Sequence, residues 1–207
     1  MFPLQSALLP GETLPLRIFE PRYADLVQDC LADDDPAFGV VLISRGREVG
    51  GEDSRSDIGA MARIAEYADL GMGQYELLAP VGERIRVRRW LPDNPYPRAI
   101  VEPWPDEPGP PVGPGQIGAV IDRILGLYQR VARARDMDVP ADALAVDEET
   151  ADDPARHLYA LAARVPLGQA DRYAVLAAPT LAERVGVLTD AIETVTAMVE
   201  FQLPEDD

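Results

Sequence analysis

Leu14-Pro15-Leu16-Arg17-Ile18-Phe19-Glu20-Pro21-Arg22-Tyr23 is the stretch at which the chain changes its hydrophobic period. Residues 14–19 read as a strand. Pro21 then opens a short helix, because the first helical turn has no use for the N–H that proline lacks. Tyr23, Leu26, Val27, Cys30 and Leu31 follow at the spacing of one apolar helical face. Asp33-Asp34-Asp35-Pro36 ends the helix: acids are unfavourable at its negative pole, and a residue before proline avoids the helical region.

Working outward, Phe38-Gly39-Val40-Val41-Leu42-Ile43, bounded by Pro36 and Gly46, is apolar without interruption and predicts a strand covered on both faces. Arg84-Ile85-Arg86-Val87-Arg88 alternates, which predicts a half-exposed strand with Ile85 and Val87 inward, three arginines outward, and Gly82 as the preceding turn. Ile58 to Leu70 fits both periods. Ile58, Met61, Ala62 and Ala65 suit a helix, whereas Gly59, Gly71-Met72-Gly73 and the Ala62, Ile64 alternation suit a strand; pattern alone leans helical.

Six prolines between Pro103 and Pro114 remove backbone donors and mark a boundary. This divides the chain into a β-rich part (residues 1–107), a Pro/Gly-rich linker (108–115) and a helical bundle (116–207), an α+β organisation. Beyond the boundary the period is 3.6. Ile117, Val120, Ile121, Ile124, Tyr128 and Val131 share a face, and Asp153-Pro154 caps a helix through Leu158, Leu161 and Val165. A shorter helix follows Pro166-Leu167-Gly168. Thr180-Leu181-Ala182-Glu183 is a capping box that starts the last helix, whose seam runs Leu181, Val185, Leu188, Ile192, Val195 and Val199.

Composition excludes several chemistries. All 19 basic residues are arginine, so a phosphate-loop lysine, a Schiff base and a Ser-Lys protease are ruled out. One cysteine (Cys30) and one histidine (His157) cannot build a multi-ligand zinc site, a Cys-His pair or an internal disulfide. His157 reads as a surface or core-edge residue, since none of the four serines lies in a nucleophile-elbow motif. Gly71-Met72-Gly73-Gln74-Tyr75-Glu76 lacks the third glycine and the βαβ setting of a dinucleotide fingerprint, and Asp147-Glu148-Glu149 lacks the glycine and alternation of a calcium loop. No cofactor and no metal are expected. Without an apolar run long enough to span a bilayer or an N-terminal secretory pattern, the chain reads as cytoplasmic. A net charge of −17 opposes nucleic acid and anionic membranes as default partners.

Taken together, Leu14 to Tyr23, Phe38 to Ile43, Glu48-Val49-Gly50 and Gly59-Ala60-Met61-Ala62-Arg63-Ile64 resemble, in order and spacing, the N-terminal substrate-binding domain of Lon proteases. The resemblance continues through Arg84 to Val87, Trp90-Leu91 and Pro95-Tyr96, and more weakly over Leu167 to Arg184. It implies a PUA-like pseudo-barrel followed by a helical bundle, which makes Ile58 to Tyr67 a strand against the pattern. It also implies a stand-alone, non-catalytic module that binds protein or unfolded peptide segments, with no ATPase or protease part. Ala60, where the family often has threonine, and Gly71-Met72-Gly73, in place of a more polar turn, depart from the pattern. Candidate binding residues are Arg17, Phe19, Glu20, Arg22 and Tyr23 at the strand-to-helix corner, together with Arg63. The bland alternative at that corner is an Arg17–Glu20 pair that fixes it while Tyr23 packs. Arg84, Arg86, Arg88 and Arg89, with Trp90 beside them, form a second candidate surface, which in a PUA-like setting would serve RNA by phosphate contact and stacking.

Overall fold

The computed structural model describes residues 1–45 and 54–202; Gly46 and Glu48-Val49-Gly50 lie outside the described residues. The chain divides into two compact units, Met1–Pro105 and Asp106–Asp207. The first carries seven strands and one helix, the second five helices.

In the first unit the strands are β1 (Phe2–Leu4), β2 (Thr13–Ile18), β3 (Ala37–Arg45), β4 (Ser54–Arg63), β5 (Glu66–Gly71), β6 (Gln74–Leu91) and β7 (Arg98–Pro103), with α1 (Pro21–Leu31) after β2. The sheet runs β1-β3-β4-β6-β2, with β5 and β7 also paired to β6. Among the described residues only β1 and β3 are parallel, and the other pairings are antiparallel. β6 is an 18-residue strand whose first half pairs with β2 and β5 and whose second half pairs with β4 and β7.

Gly82 does not turn the chain. It lies inside β6, where the step from Ala60 to Ala62 on β4 faces the longer step from Arg84 back to Val81. The extra residue is a bulge, and it bends β6 at the point where its partners change. The helical lean of residues 58–70 is likewise overturned. Ladder pairing takes β4 and β5 as strands, and Ile64 and Ala65 join them. Gly59 explains part of this outcome: a Cβ built there would lie 2.1 Å from the Val40 carbonyl oxygen, so β3 and β4 approach as closely as they do because the side chain is missing.

α1 starts at Pro21 and buries Tyr23, Ala24, Leu26 and Val27. Cys30 and Leu31, on the same face, are partly buried against the same core, which also holds Phe2, Ile18, Phe38, Val40, Ala62, Leu77 and Val81. Phe2 stacks on Tyr23 with ring centroids 4.2 Å apart.

The second unit holds α2 (Pro114–Ala134), α3 (Glu148–Asp152), α4 (Pro154–Ala163), α5 (Gln169–Ala177) and α6 (Leu181–Gln202). Arg123 pairs with Glu193 at 3.7 Å and Arg130 with Glu200 at 2.9 Å. Numbers rise together on both helices, so α2 and α6 run parallel. Asp153 caps α4 by accepting from Ala155 and Arg156 N–H, and Glu183 N–H donates to Thr180 Oγ1 at 3.1 Å to cap α6. The acidic run serves as caps too, since Asp147 accepts from Thr150 N–H at the start of α3. That bond holds the Asp147 carboxyl below its ordinary value.

The proline-rich segment is held against the second unit. Glu107 N–H donates to Pro179 O at 2.8 Å, and a Cβ on Gly109 would lie 2.9 Å from Thr180 Cβ. Asp106 forms an ion pair with Arg184, a side chain with 0% exposure in the first turn of α6, whose guanidinium lies 4.3 Å over the Tyr159 ring. The apolar pattern of α6 gives no warning of this residue; Arg184 is tolerated because a carboxylate reaches it from another part of the same unit.

Candidate functional site

The corner between β2 and α1 separates its residues by role. Glu20 accepts from Arg22 Nε at 3.0 Å, and the Arg22 guanidinium lies 4.5 Å over the Tyr23 ring, which is itself buried against Phe2. The expected Arg17–Glu20 pair is not formed: alternation along β2 turns Arg17 outward, cross-strand from Glu76, so Arg22 on the first helical turn takes the carboxylate. Arg17 has no ion pair among the described residues. Phe19, one residue past the Ile18–Tyr75 pair, is 64% exposed.

The arginines of β6 do not all face outward. Arg84 is buried and Arg86 half-buried, because Trp104, continuing from β7, covers that face of the strand. Trp104 N–H donates to Arg84 O at 2.8 Å, and both guanidinium carbons lie 4.3 Å from the indole centroid. Arg88 pairs with Glu102 at 2.5 Å. Trp90 has its ring occupied by Arg55, 4.9 Å away, which in turn is held by both oxygens of Asp93. Arg63 pairs with Asp35 beyond the end of α1.

What the sequence does not single out is a set of exposed apolar side chains on and next to the β5–β6 hairpin. β5 and β6 form a hairpin whose tip, Gly71-Met72-Gly73, has positive φ at all three residues, a conformation that glycine adopts without strain and that Met72 takes at the centre. Met72 is 99% exposed. Tyr67 and Leu70 on β5, Leu78 on β6 and Phe19 just past β2 are further large apolar side chains that stay in water; the register sets Tyr67 on the face of Leu77 and Leu78 on the opposite one. The signal available in the sequence was Met72 itself, an apolar residue between two turn glycines where no core position is possible.

His157 lies half-buried on α4, and burial lowers its pKa. Among the described residues no group of three or more His, Cys, Asp or Glu is placed to hold a metal ion, and no helix is long and apolar enough to cross a membrane.

Compared with known proteins, residues 1–194 match the family model described as the ATP-dependent protease La (LON) substrate-binding domain. The chain belongs to the Lon substrate-binding domain family. Among solved structures it is similar to the Lon N-terminal domain protein from Xanthomonas campestris, at 26% identity and a TM-score of 0.60, with 91% of this chain and 95% of that one covered. It is also similar in fold to the N-terminal domain of the Mycobacterium avium complex Lon protease, at 16% identity and a TM-score of 0.58, over 91% and 94% of the two chains. Among curated proteins none matches. The α+β fold, with its sheet in the first half and most helices in the second, is thus the fold of Lon N-terminal domains.

Proposed function

We propose that this Lon substrate-binding-domain protein is a non-catalytic module that holds unfolded or extended segments of other proteins. The observation that carries the reading is the exposure of five large apolar side chains, Phe19, Tyr67, Leu70, Met72 and Leu78, on and next to the β5–β6 hairpin. Several large apolar groups left in water around one hairpin are a signature of protein-binding surfaces, and methionine and aromatics adapt to varied partners at low entropic cost. Membership of a substrate-binding family points the same way. The arginines of β6 are largely engaged with Trp104 and Glu102, and the net charge is −17, so the protein surface suits a polypeptide better than a phosphate backbone.

Binding of a fluorescent, reduced and carboxymethylated unfolded chain, followed by anisotropy, tests the reading. The expected result is saturable binding that weakens about tenfold or more in the Phe19→Ser, Met72→Ser double variant, whose two side chains are exposed and carry little of the core. Uniform failure to bind unfolded chains at tens of micromolar would overturn it.

A further inference from the structure

We infer that the outer edge of β5 takes up an extended, basic polypeptide segment by strand addition. This deepens the peptide-binding reading by naming the mode and the class of partner, and it rests on that reading.

Among the described residues β5 is paired on one side only, to β6, and all six of its residues are exposed. Which of its backbone groups remain free follows from the ladder. Val81 N–H donates to Glu12 O, so on β6 residues 81, 79, 77 and 75 turn toward β2, while 78 and 76 turn toward β5. Their register partners Glu66 and Ala68 are therefore bonded inward, and the N–H and C=O groups of Tyr67 and Asp69 point away from the sheet. Edges of this kind are templates for an incoming strand unless something blunts them. Here there is no proline, no lysine and no covering element among the described residues. Two exposed apolar side chains of this edge strand, Tyr67 and Leu70, offer apolar contact to the guest.

Charge chooses the guest. The hairpin carries Glu66, Asp69 and Glu76 and no cation; the cross-strand neighbour of Glu76 is Arg17. Glu66 and Asp69 lie on the edge strand itself, in an already negative molecule, so a segment alternating apolar with arginine or lysine residues is attracted, and an acidic one is repelled.

The test uses the full chain and three labelled peptides of about ten residues: alternating valine and arginine, the same peptide N-methylated at every second amide, and valine alternating with glutamate. Strand addition predicts that the arginine peptide binds, that N-methylation weakens it about tenfold or more by removing the donors the edge accepts, and that the glutamate peptide does not bind. On the protein side, Tyr67→Pro deletes one outward N–H at an edge position where proline is tolerated, and is expected to cause a comparable loss. The Glu66→Gln, Asp69→Asn pair, which keeps the Asp69 cap on Gly71 N–H, is expected to flatten the salt dependence without unfolding the sheet. Equal binding of the parent and N-methylated peptides, or of the arginine and glutamate peptides, overturns the inference while leaving the chain a peptide binder. If the carboxymethylated chain and all three peptides fail together, the functional reading falls with it.

Discussion

Replacing Asp106 by alanine should unfold the second unit far more readily than replacing Arg184 by methionine, although both changes break the same ion pair. The two residues differ in their surroundings: the Arg184 side chain is fully buried, whereas that of Asp106 is 28% exposed. Without Asp106, a guanidinium is left in the helix core against the Tyr159 ring with no counter-charge, and its Nε already lacks a hydrogen-bond partner. Stranding a buried charge in this way costs about 3–5 kcal/mol. Without Arg184, the carboxylate can turn to water and a methionine fills part of the vacated volume, so about 1–2 kcal/mol is expected. The double variant should recover most of the difference, because a neutral pair leaves no charge in the core. At about 2 kcal/mol per molar of urea, the Asp106→Ala midpoint should fall by roughly 1.5–2.5 M in a melt followed by helix ellipticity at 222 nm. An Asp106→Ala variant no less stable than Arg184→Met would refute the reasoning, since it would mean that the buried guanidinium does not depend on its partner.

Gly59→Ala should cost up to about 3 kcal/mol, because the new methyl meets the Val40 carbonyl and not a movable side chain; tryptophan fluorescence in a urea melt reads it, as Trp90 and Trp104 both belong to the first unit. Thr180→Ala removes the α6 cap and should cost about 1 kcal/mol, with Thr180→Ser restoring it, as measured by thermal denaturation. Burial lowers the His157 pKa, so the unfolded chain binds the proton more readily than the folded one. Stability from this group is therefore complete above the ordinary histidine value near ~6.5 and is lost as pH falls below it, and His157→Gln should remove that part of the slope between melts at successive pH values. The Tyr96 hydroxyl donates to Asp29 Oδ2 at 2.5 Å, and this bond, helped by burial, pushes its pKa up to about 12, so Asp29→Asn should lower the pH at which Tyr96 ionises in an ultraviolet titration.

The fold was legible wherever a period and a punctuation mark coincided. Pro21 after an apolar run placed α1, Asp153-Pro154 placed α4, and Thr180 with Glu183 placed α6. Where two periods overlapped, as over residues 58–70, local pattern pointed to the wrong element, because small residues such as Gly59, Ala60 and Ala62 are apolar in either reading and only cross-strand partners decide. The resemblance to Lon domains corrected that segment. Alternation also failed at Arg84: period two correctly set the arginines on one face, but the covering residue, Trp104, comes from beyond the next strand, and no local pattern shows a tertiary lid. The exposed apolar side chains of the β5–β6 hairpin escape notice for the opposite reason. A motif search looks for charged and catalytic groups, whereas here the informative feature is a methionine that the chain does not bury.

The length of β6 bears on how the first unit breathes. Because one uninterrupted strand supplies rungs to β2, β4, β5 and β7, detaching it dissolves both groups of pairings at once. Amide exchange in the ladders should accordingly be governed by one opening event, with protons on β4 and β2 released at a shared free energy, while the outward amides of Tyr67 and Asp69 exchange at the speed of an unfolded chain. A docking edge that is permanently open, built on a scaffold that opens only as a whole, lets a guest strand come and go without loosening its host.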